Sequence, residues 1–357
     1  MKLHPLTIAL VALLVSACGG DQASDSTPDA SPDTPSSGVT LTLLTHDSFD
    51  VSSHVLESFT TSTDITVEVV PLGDAGTLVN QAILTRDNPQ GDVLFGVDNT
   101  FLSRALDADL FLEHRSPRLD VVNETYQLDP GNRVTPIDVG DVCLNHDRVW
   151  FDEHGLEVPT DLADLTDPAY RGLLVVQNPA TSSPGLAFLL ATVERFGEDG
   201  WLDFWAQLRD NDVIVTDDWS QAYYGEFTWA GGGDRPLVVS YASSPPAEVY
   251  FADPQPDEAP TGVIEASCFR QIEFAGVLAG TDHPEEAGLL IDHLLSVEFQ
   301  EDLPLTMFVF PVVDDAALPD VFAQHAVVID DPLQVDPSVI GEHRDAWIDA
   351  WTTTVLR

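Results

Sequence analysis

Short apolar runs alternate with segments of helical periodicity along most of the chain, starting near residue 39. Apolar runs of roughly four to eight residues are typical of buried strands, and the amphipathic stretches between them are typical of helices that cover a sheet. The predicted strands are residues 39–45, 65–72, 92–97, 141–145, 173–177, 213–216, 236–241 and 268–274. The predicted helices are residues 50–60, 76–86, 99–108, 184–196, 284–295 and 343–356. This alternation predicts an α/β protein.

Two of the predicted helices carry further local signals. Pro184 suits the first turn of a helix, because proline lacks an N–H that would be unsatisfied there, and Gly197 suits a C-terminal stop. Trp347 and Trp351 are four positions apart, so a helix places both of them on one face. The sequence therefore predicts one helix that ends before Gly197 and a later helix with a tryptophan face.

The length and hydrophobic content of the chain set the scale of the fold. At roughly 150 residues per domain, 357 residues predict about two domains. The hydrophobic content of 44% is enough to build a core in each and excludes a largely disordered chain. We find no internal repeat in the sequence.

The chain is strongly acidic. Fourteen lysine and arginine residues stand against sixty aspartate and glutamate residues, which gives a formal net charge of −46, and Lys2 is the only lysine. A nucleic-acid partner is excluded on this balance, because neutralising phosphates requires a basic surface. High acidity is typical of proteins that stay soluble in salty surroundings, and it would also attract a cationic small ligand.

The N-terminus looks like a bacterial lipoprotein signal. Lys2 precedes an apolar run at residues 6–15, and Ala17 precedes Cys18 as in a lipobox. This interpretation makes residues 1–17 a signal peptide and Cys18 the lipidated first residue of a chain held at the membrane. The alternative is an ordinary secretory signal with a chance cysteine. The composition of residues 18–38, rich in Ser, Pro and Asp, predicts a flexible, acidic linker. Both interpretations of the N-terminus predict an extracytoplasmic location.

Two cysteines remain in the folded part, Cys143 and Cys268, and each falls within a predicted strand. In an oxidising compartment, two leftover thiols are expected to form one disulfide. Two buried free thiols are the alternative, since a sequence does not show the distance between the two Cα atoms. A zinc site is poorly supported, because Cys143 and His146 have suitable spacing but no second pair of ligands follows.

Small polar and aromatic residues follow most of the predicted strands. Open α/β sheets bind ligands beyond the carboxyl ends of their strands, so these segments form the candidate site. They are residues 45–49, 73–76, 98–100, 178–185, 217–220 and 240–245. The segment 178–185 brings hydroxyls and N–H groups to a helix start, which favours an anion or a polar oxygen. The last two segments place an aromatic beside small polar groups, which suits a flat ring.

Seven short runs stand in a fixed order along the folded part: THDSF, GDAG, DVLFGVDN, QNPATSSPG, VTDDWSQAYYG, LVVSYASSP and FQEDLPLTMFVFPV. In this order and spacing they resemble the extracytoplasmic thiamine-binding proteins of ABC importers, over nearly all of residues 39–357. The resemblance implies an α/β, two-lobed, periplasmic-binding-protein-like fold of type II, with a hinge and a ligand cleft between the lobes. We assign residues 39–137 with 272–357 to lobe one and residues 138–271 to lobe two.

The resemblance also implies partners and ligand contacts. It implies a monomer that binds thiamine or thiamine phosphates and delivers them to an ABC permease and ATPase, with no enzymatic activity, no cofactor and no metal. The implied ligand contacts are His46, Asp74, Ala75, Ser182, Ser183, Trp219, Tyr241, Ala242, Ser243, Ser244 and Phe308. His46 and Phe308 stand where some relatives have a tyrosine and a tryptophan, Ala75 where the family often has glycine, and Ala247 where some have a second tyrosine.

The chemistry of thiamine fits the same residues. Its thiazolium is permanently cationic, and aromatic faces stabilise such cations by about 0.5 to 2 kcal/mol each. Trp219, Tyr241 and Phe308 are the predicted faces, and Asp74, with Asp98 or Asp138, is the predicted counter-charge.

Structural roles compete with these assignments. An aromatic beside a strand is by default part of a core, Asp98 before Asn-Thr is typical of a helix cap, and Ser182 and Ser183 are also suited to a turn and cap.

Two alternatives come from other classes of protein. A thiaminase I-like enzyme shares the two-lobed fold but requires a cysteine nucleophile, and here the cysteines of the folded part lie within predicted strands. A ferric-ion receptor of the same fold would use paired tyrosines such as Tyr223 and Tyr224. On a helix, only one of two consecutive tyrosines is expected to line a cleft.

Overall fold

The computed structural model describes residues 38–357. The predicted signal peptide at residues 1–17, the predicted lipidation at Cys18 and the predicted linker up to residue 37 lie outside the described residues. Among the residues that are described, no helix combines the length and apolar character needed to cross a membrane.

Two separate β-sheets carry the fold. The strands are, in chain order, β1 (Val39–Thr45), β2 (Ile65–Pro71), β3 (Val93–Asp98), β4 (Thr135–Val139), β5 (Val142–Asp147), β6 (Leu174–Gln177), β7 (Ile214–Thr216), β8 (Leu237–Tyr241), β9 (Thr261–Phe269), β10 (Ile272–Val277) and β11 (Phe310–Pro311). They form a six-stranded sheet with the order β11-β4-β10-β3-β1-β2 and a five-stranded sheet with the order β7-β6-β8-β5-β9. Each sheet has a parallel part, with β1 between β2 and β3 and with β6 between β7 and β8.

Helices flank the strands, as expected for α/β units. The α-helices are α1 (Ser53–Thr63), α2 (Ala75–Thr85), α3 (Leu102–Asp107), α4 (Arg148–His154), α5 (Ser183–Asp210), α6 (Trp219–Gln221), α7 (Thr228–Gly231), α8 (Pro245–Tyr250), α9 (Pro284–Leu294), α10 (Val297–Thr306), α11 (Asp320–His325) and α12 (Pro337–Val355). Short 3-10 turns at Leu119–Val121, Glu124–Tyr126, Leu162–Thr166 and Pro168–Tyr170 and a π-helical segment at Ala222–Glu226 complete the local structure.

The predicted helix after Pro184 is longer than expected. Gly197 does leave the helical conformation, with φ 68° and ψ 176°, but a second helical segment follows it directly as part of α5. That second segment is held in place because Trp201, Trp205 and Leu208 are buried in the core. Gly197 therefore breaks α5 without ending it, because burial of the following apolar residues continues the helix.

The tryptophan face predicted near the C-terminus is confirmed on α12. Trp351 is fully buried and its ring meets the ring of Trp205 on α5 edge-on, with centroids 5.5 Å apart. Trp347 is also buried on the same face. This contact joins the C-terminal helix to the long helix that covers the second sheet.

The chain passes between the two sheets at two adjacent connections. One runs from β4 to β5 through Gly140 and Asp141, and the other runs from β9 to β10 through Arg270 and Gln271. The Gly140 N–H donates to the Gln271 carbonyl oxygen at 3.1 Å, and the Arg270 guanidinium pairs with the Asp141 carboxylate at 2.5 Å. The two connections lie side by side between the sheets, which is the position of a hinge between two lobes.

The prediction of one strand over residues 268–274 is wrong, because the connection from β9 to β10 falls within that run. Residues up to Phe269 pair in the second sheet and residues from Ile272 pair in the first, so one apolar run is divided between two strands. The side chain of Asn99 holds the break, because it donates to the Arg270 carbonyl oxygen and accepts from the Ile272 N–H.

The C-terminal part of the chain returns to the second sheet after β11. The Val327 N–H donates to the Ala242 carbonyl oxygen at 2.9 Å, and the Leu333 N–H donates to the Cys268 carbonyl oxygen at 2.8 Å. Residues assigned from sequence to lobe one therefore also contact strands of the second sheet. The lobe limits of 39–137 with 272–357 and of 138–271 stay a prediction.

Cys143 and Cys268 form the predicted disulfide, so the alternative of two free thiols is wrong. Their Cα atoms are 4.2 Å apart, and the bond joins β5 to β9 within the second sheet. Both cysteines are buried and pack against Ala242 and Ile329. The disulfide thus ties the second sheet together at the place where the C-terminal segment crosses it.

Candidate functional site

A cavity of about 550 Å³ lies between the two sheets. The segments around the first sheet contribute His46, Asp47, Ser48, Asp50, Asp74, Ala75, Asp138, Glu273, Thr306, Met307, Phe308 and Val309. The segments around the second sheet contribute Ser183, Pro184, Trp219, Ser220, Tyr223, Tyr224, Ala230, Tyr241, Ser244, Ala247, Glu248 and Phe251, and Gln271 lies on the connection between them. Many of these residues follow the ends of strands, which is where the sequence places the candidate site.

Most of the residues that the sequence predicts for the site line this cavity. They are His46, Asp74, Ala75, Ser183, Trp219, Tyr241, Ser244 and Phe308. The remaining three, Ser182, Ala242 and Ser243, are buried beside it and do not belong to its lining. Contact between any of the eleven residues and a ligand stays a prediction.

The three that fall outside the lining have neighbours within the protein. Ser182 is the N-cap of α5, where its side chain accepts from the Gly185 N–H and its hydroxyl donates to Asp74. Ala242 packs against the disulfide, and Ser243 is fully buried in the turn before α8. Consecutive residues in a turn point in different directions, so a run of four predicted contacts cannot all face one cavity.

Asp74 joins the two halves of the molecule across the cavity. The first half is built on the six-stranded sheet and the second half on the five-stranded sheet. It is the N-cap of α2, where its carboxylate accepts from the Ala75 N–H at 2.7 Å. The same carboxylate accepts from the Ser183 N–H at 3.2 Å and from the Trp219 N–H at 3.1 Å, at the starts of two helices of the second half. Burial raises the pKa of Asp74, and these donors oppose that effect by stabilising its charged form.

Asp98 makes a second connection between the halves. It accepts from the N–H groups of Thr100 and Phe101 at 2.9 and 3.2 Å, which is the capping role that the sequence allows. It also accepts from the hydroxyl of Ser183 on the other half. Burial raises the pKa of Asp98 to about 6. The carboxylate is therefore engaged by protein donors, and it is not part of the cavity lining.

Three aromatic residues form one wall of the cavity. The rings of Trp219 and Tyr223 are stacked, with centroids 4.8 Å apart and planes at 18°, and Tyr224 meets Trp219 edge-on at 5.4 Å. The Trp219 indole N–H donates to the Ser240 hydroxyl at 3.0 Å, which fixes the ring plane. The wall thus offers an aromatic surface whose orientation is set by hydrogen bonds.

The expectation that only one of Tyr223 and Tyr224 lines the cleft is wrong. Both tyrosines line the cavity, because residues 222–226 are π-helical and the wider turn brings neighbouring side chains to one side. The Tyr223 hydroxyl donates to Glu248 at 2.7 Å, and the Trp229 indole N–H donates to the other oxygen of Glu248 at 2.7 Å. Sequence reasoning missed Glu248, since its role depends on contacts between α8 and the aromatic wall.

A second pair of aromatic residues meets at the mouth of the cavity. Phe308 follows α10 with φ 55°, and its ring lies 5.6 Å from the ring of Phe251 on the other half. Phe251 is 73% exposed, although phenylalanine is among the residue types most often buried. The sequence predicts Phe308 but not Phe251, because nothing in the local pattern distinguishes Phe251 from a residue at a helix end.

A row of three carboxyl groups lies at the floor of the cavity, where Asp138 and Glu273 belong to the lining and Asp98 does not. In the register of the first sheet, Glu273 on β10 is paired with Asp98 on β3 and with Asp138 on β4. All three residues are buried, and Asp138 and Glu273 share a hydrogen bond. The Oδ2 atom of Asp138 is buried and has no hydrogen-bond partner. Three carboxyl groups side by side cannot all be charged without a compensating cation.

His46 stands beside this row in its neutral form. Its Nδ1 accepts from the Ser48 N–H at 3.2 Å, so the proton of the neutral ring is on Nε2, which lies 3.3 Å from Glu273. Burial lowers the pKa of His46. Burial also raises the pKa of Asp138 well above its usual range and the pKa of Glu273 to about 8. At neutral pH Glu273, on the floor of the cavity, therefore holds a proton.

We expect the folded protein to lose stability as pH rises from about 5 to about 8. Glu273 has a pKa of about 8 when folded against an ordinary value of 4.5, so in this window the folded protein holds a proton that the unfolded chain has released. The free energy of unfolding then falls by about 1.4 kcal/mol per pH unit for each such proton.

Urea denaturation between pH 5 and pH 9 at constant salt measures this slope. Glu273→Gln is expected to make the slope shallower, because glutamine binds no proton in either state. The groups that face this pair are His46, Asp74, Asp98 and Tyr241. An equal slope in the wild type and the variant would contradict the assignment of the proton to Glu273 and its partner.

Two α/β halves joined by paired connections and enclosing a polar and aromatic cavity define a two-lobed solute-binding protein. The chain belongs to the family described as bacterial extracellular solute-binding protein, whose model matches residues 88–329. The α/β, two-lobed fold that the sequence predicts is thereby confirmed, and the family supports the extracytoplasmic location.

Thiamine-binding proteins of other bacteria are similar to most of the chain. A thiamine-binding periplasmic protein of Salmonella typhimurium is 28% identical over 89% of this chain and 94% of its own length. The thiamine-binding periplasmic protein of Escherichia coli is 28% identical over the same shares. Among solved structures, a periplasmic thiamin binding protein is 27% identical, with a TM-score of 0.78 over 89% of this chain and 96% of that chain. The resemblance drawn from the seven sequence runs is confirmed by these relatives.

Proposed function

We propose that this protein captures thiamine in the cavity between its halves and delivers it to an ABC import permease, while a lipid on Cys18 holds it at the membrane. The observation that carries the proposal is the cavity itself, in which a stacked aromatic wall faces a row of buried carboxyl groups. Thiamine offers the complementary groups, namely a cationic thiazolium, a flat aminopyrimidine and a hydroxyl. The similarity to thiamine-binding relatives supports the same ligand.

The two alternatives drawn from the sequence find less support. A thiaminase I-like reaction needs a free thiolate in the cleft. Both cysteines of the described residues are joined in a disulfide, and neither lines the cavity. For a ferric-ion receptor, Tyr223 and Tyr224 would have to supply free hydroxyls. The hydroxyl of Tyr223 instead donates to Glu248, and no group of three His, Cys, Asp or Glu in residues 38–357 is arranged to hold a metal.

Isothermal titration calorimetry with purified protein tests the proposal. Thiamine is expected to bind at one site per chain, and quenching of tryptophan fluorescence is expected to saturate at the same ratio, because Trp219 lines the cavity. Chromatography of the ligand after overnight incubation is expected to recover intact thiamine. Ferric citrate in the same titration serves as the ligand control and is expected to give no specific heat. The absence of any signal with thiamine would refute the proposal.

A further inference from the structure

Glu248, in the first turn of α8, lines the cavity, and both of its carboxylate oxygens are engaged by aromatic side chains. One oxygen accepts from the Tyr223 hydroxyl at 2.7 Å, and the other accepts from the Trp229 indole N–H at 2.7 Å. The two donors come from different elements, since Tyr223 lies in the π-helical segment and Trp229 lies on α7. A single carboxylate therefore joins three helical elements of the second half.

The Tyr223 hydroxyl depends on this acceptor. Tyr223 is 2% exposed, and a buried hydroxyl that lacks a hydrogen-bond partner destabilises the folded protein. Burial and the neighbouring Glu248 carboxylate raise the pKa of Tyr223 well above its usual range, so the hydroxyl keeps its proton and remains a donor. A neutral group in place of the Glu248 carboxylate would accept this proton more weakly and would hold the Tyr223 ring less firmly.

Tyr223 in turn supports the ring of Trp219. The two rings are stacked, with centroids 4.8 Å apart, so the position of one limits the position of the other. Tyr223 belongs to a small apolar cluster that is separate from the main core and against which Trp219 packs. The other buried members of this cluster are Val175, Ala222, Phe227 and Val238. Because a small cluster has few contacts to fix a ring, hydrogen bonds contribute more to its orientation.

A second route, made of polar contacts, also links Trp219 to Glu248. The Trp219 indole N–H donates to the Ser240 hydroxyl at 3.0 Å. The hydroxyls of Ser240 and Ser244 share a hydrogen bond at 2.8 Å, and the Ser244 side chain interacts with the Tyr223 hydroxyl. Polar groups linked in this way polarise and strengthen one another. Stacking and polar contacts therefore both connect the indole that lines the cavity to the same carboxylate.

Resting on the proposed function, we propose that Glu248 is a positioning residue, which holds Tyr223 behind Trp219 so that the aromatic wall is ordered before the ligand arrives. An aromatic face that is already ordered loses less conformational entropy when it binds a flat ring. Glu248 then increases the affinity through the wall and not through a contact with the charge of the ligand.

Calorimetric titration with thiamine of Glu248→Gln, Tyr223→Phe and the double variant tests this role. Glutamine keeps the shape of the side chain, and phenylalanine keeps the ring without its hydroxyl. Each single variant is expected to bind about tenfold more weakly, and the double variant no more weakly than the weaker of the two, because both remove one shared interaction. Losses that multiply to about 100-fold would overturn the proposal, because Glu248 would then act independently of Tyr223.

A measurement without ligand separates positioning from a direct contact with the ligand. Incorporation of fluorinated tryptophan gives a fluorine NMR resonance for Trp219, which is assigned by its absence from Trp219→Phe. In the ligand-free protein, this resonance is expected to shift or broaden in Glu248→Gln, because the indole is held less firmly. The matched control is Glu265→Gln, at an exposed position on β9 outside the cavity lining, and it should keep the resonance and the affinity of the wild type.

Several outcomes would overturn the inference. One is an unchanged Trp219 resonance in Glu248→Gln, and another is a control Glu265→Gln that loses as much affinity, because the effect would then come from net charge. Thermal melting reports whether each variant is folded. If Glu248→Gln does not fold, the same spectra and titrations of Tyr223→Phe decide, and wild-type behaviour there would overturn the inference. If the wild type does not bind thiamine, the proposed function fails, whereas the ligand-free spectra still show whether Glu248 orders the wall.

Discussion

Asp74→Asn is expected to weaken thiamine binding by about 100-fold and to leave the two halves farther apart in solution. The Asp74 carboxylate accepts N–H groups from Ser183 and Trp219 across the cavity. Hydrogen bonds to a charged group contribute roughly 1.5 to 3 kcal/mol each. An asparagine has one acceptor oxygen and presents an NH₂ group to the remaining donor. Loss of about 3 kcal/mol from the closed form corresponds to the expected factor of about 100.

Calorimetry measures the affinity of this variant, and small-angle X-ray scattering measures the radius of gyration with and without ligand. The matched control is Asp218→Asn. Asp218 also caps a helix start, accepting the Gln221 N–H at 2.7 Å, but its bond stays within the second half. Because asparagine is an equally good N-cap, this control should bind thiamine nearly as the wild type does. Wild-type affinity and scattering for Asp74→Asn would show that these bonds do not hold the halves together.

Trp219→Ala is expected to weaken thiamine binding by about 30-fold and to lower the melting temperature by only a few degrees. The indole is half-buried, stacks on Tyr223 and lines the cavity, so its removal takes away an aromatic face. A cation–π contact and a ring contact together contribute about 2 kcal/mol, which corresponds to the expected factor. Stability changes less, because solvent already reaches part of the indole.

Two further variants isolate the cause of this loss. Trp219→Phe keeps an aromatic face and loses the indole bond to Ser240, so it should recover most of the affinity. Trp150→Ala removes a tryptophan that stacks on His154 and does not line the cavity, and it should leave the affinity unchanged. If Trp219→Ala instead unfolds the protein while the control does not, Trp219 serves mainly the core of the second half.

Several parts of the site could be predicted because their signals are local. Asp74 and Trp219 each follow a strand and Tyr241 is the last residue of one, and the periodicity that marks a strand also marks its end. The same holds for the start of α5 near Pro184, where the absent N–H of proline is a local property. The sequence does not predict the start of α12, because Arg344 interrupts the buried face that joins Ile340 to Trp347 and Trp351.

Other features of the site depend on elements that meet from distant parts of the chain. Tyr224 lines the cavity because the segment after Trp219 is π-helical, and a sequence read with α-helical periodicity places it elsewhere. Phe251 becomes part of the site through its contact with Phe308, which belongs to the other half. Glu248 is recognisable only from the two donors that converge on it.

The sequence by itself determined the alternation of strands and helices, the compartment that favours a disulfide and the residue types of an aromatic and acidic site. These follow from periodicity and side-chain chemistry, which are properties of short segments. Only the tertiary structure decided that Asp138, Glu273 and Asp98 lie side by side. Their neighbourhood is set by the register of β10 against β3 and β4, and such pairing arises from backbone hydrogen bonds between distant segments that no short stretch of sequence encodes.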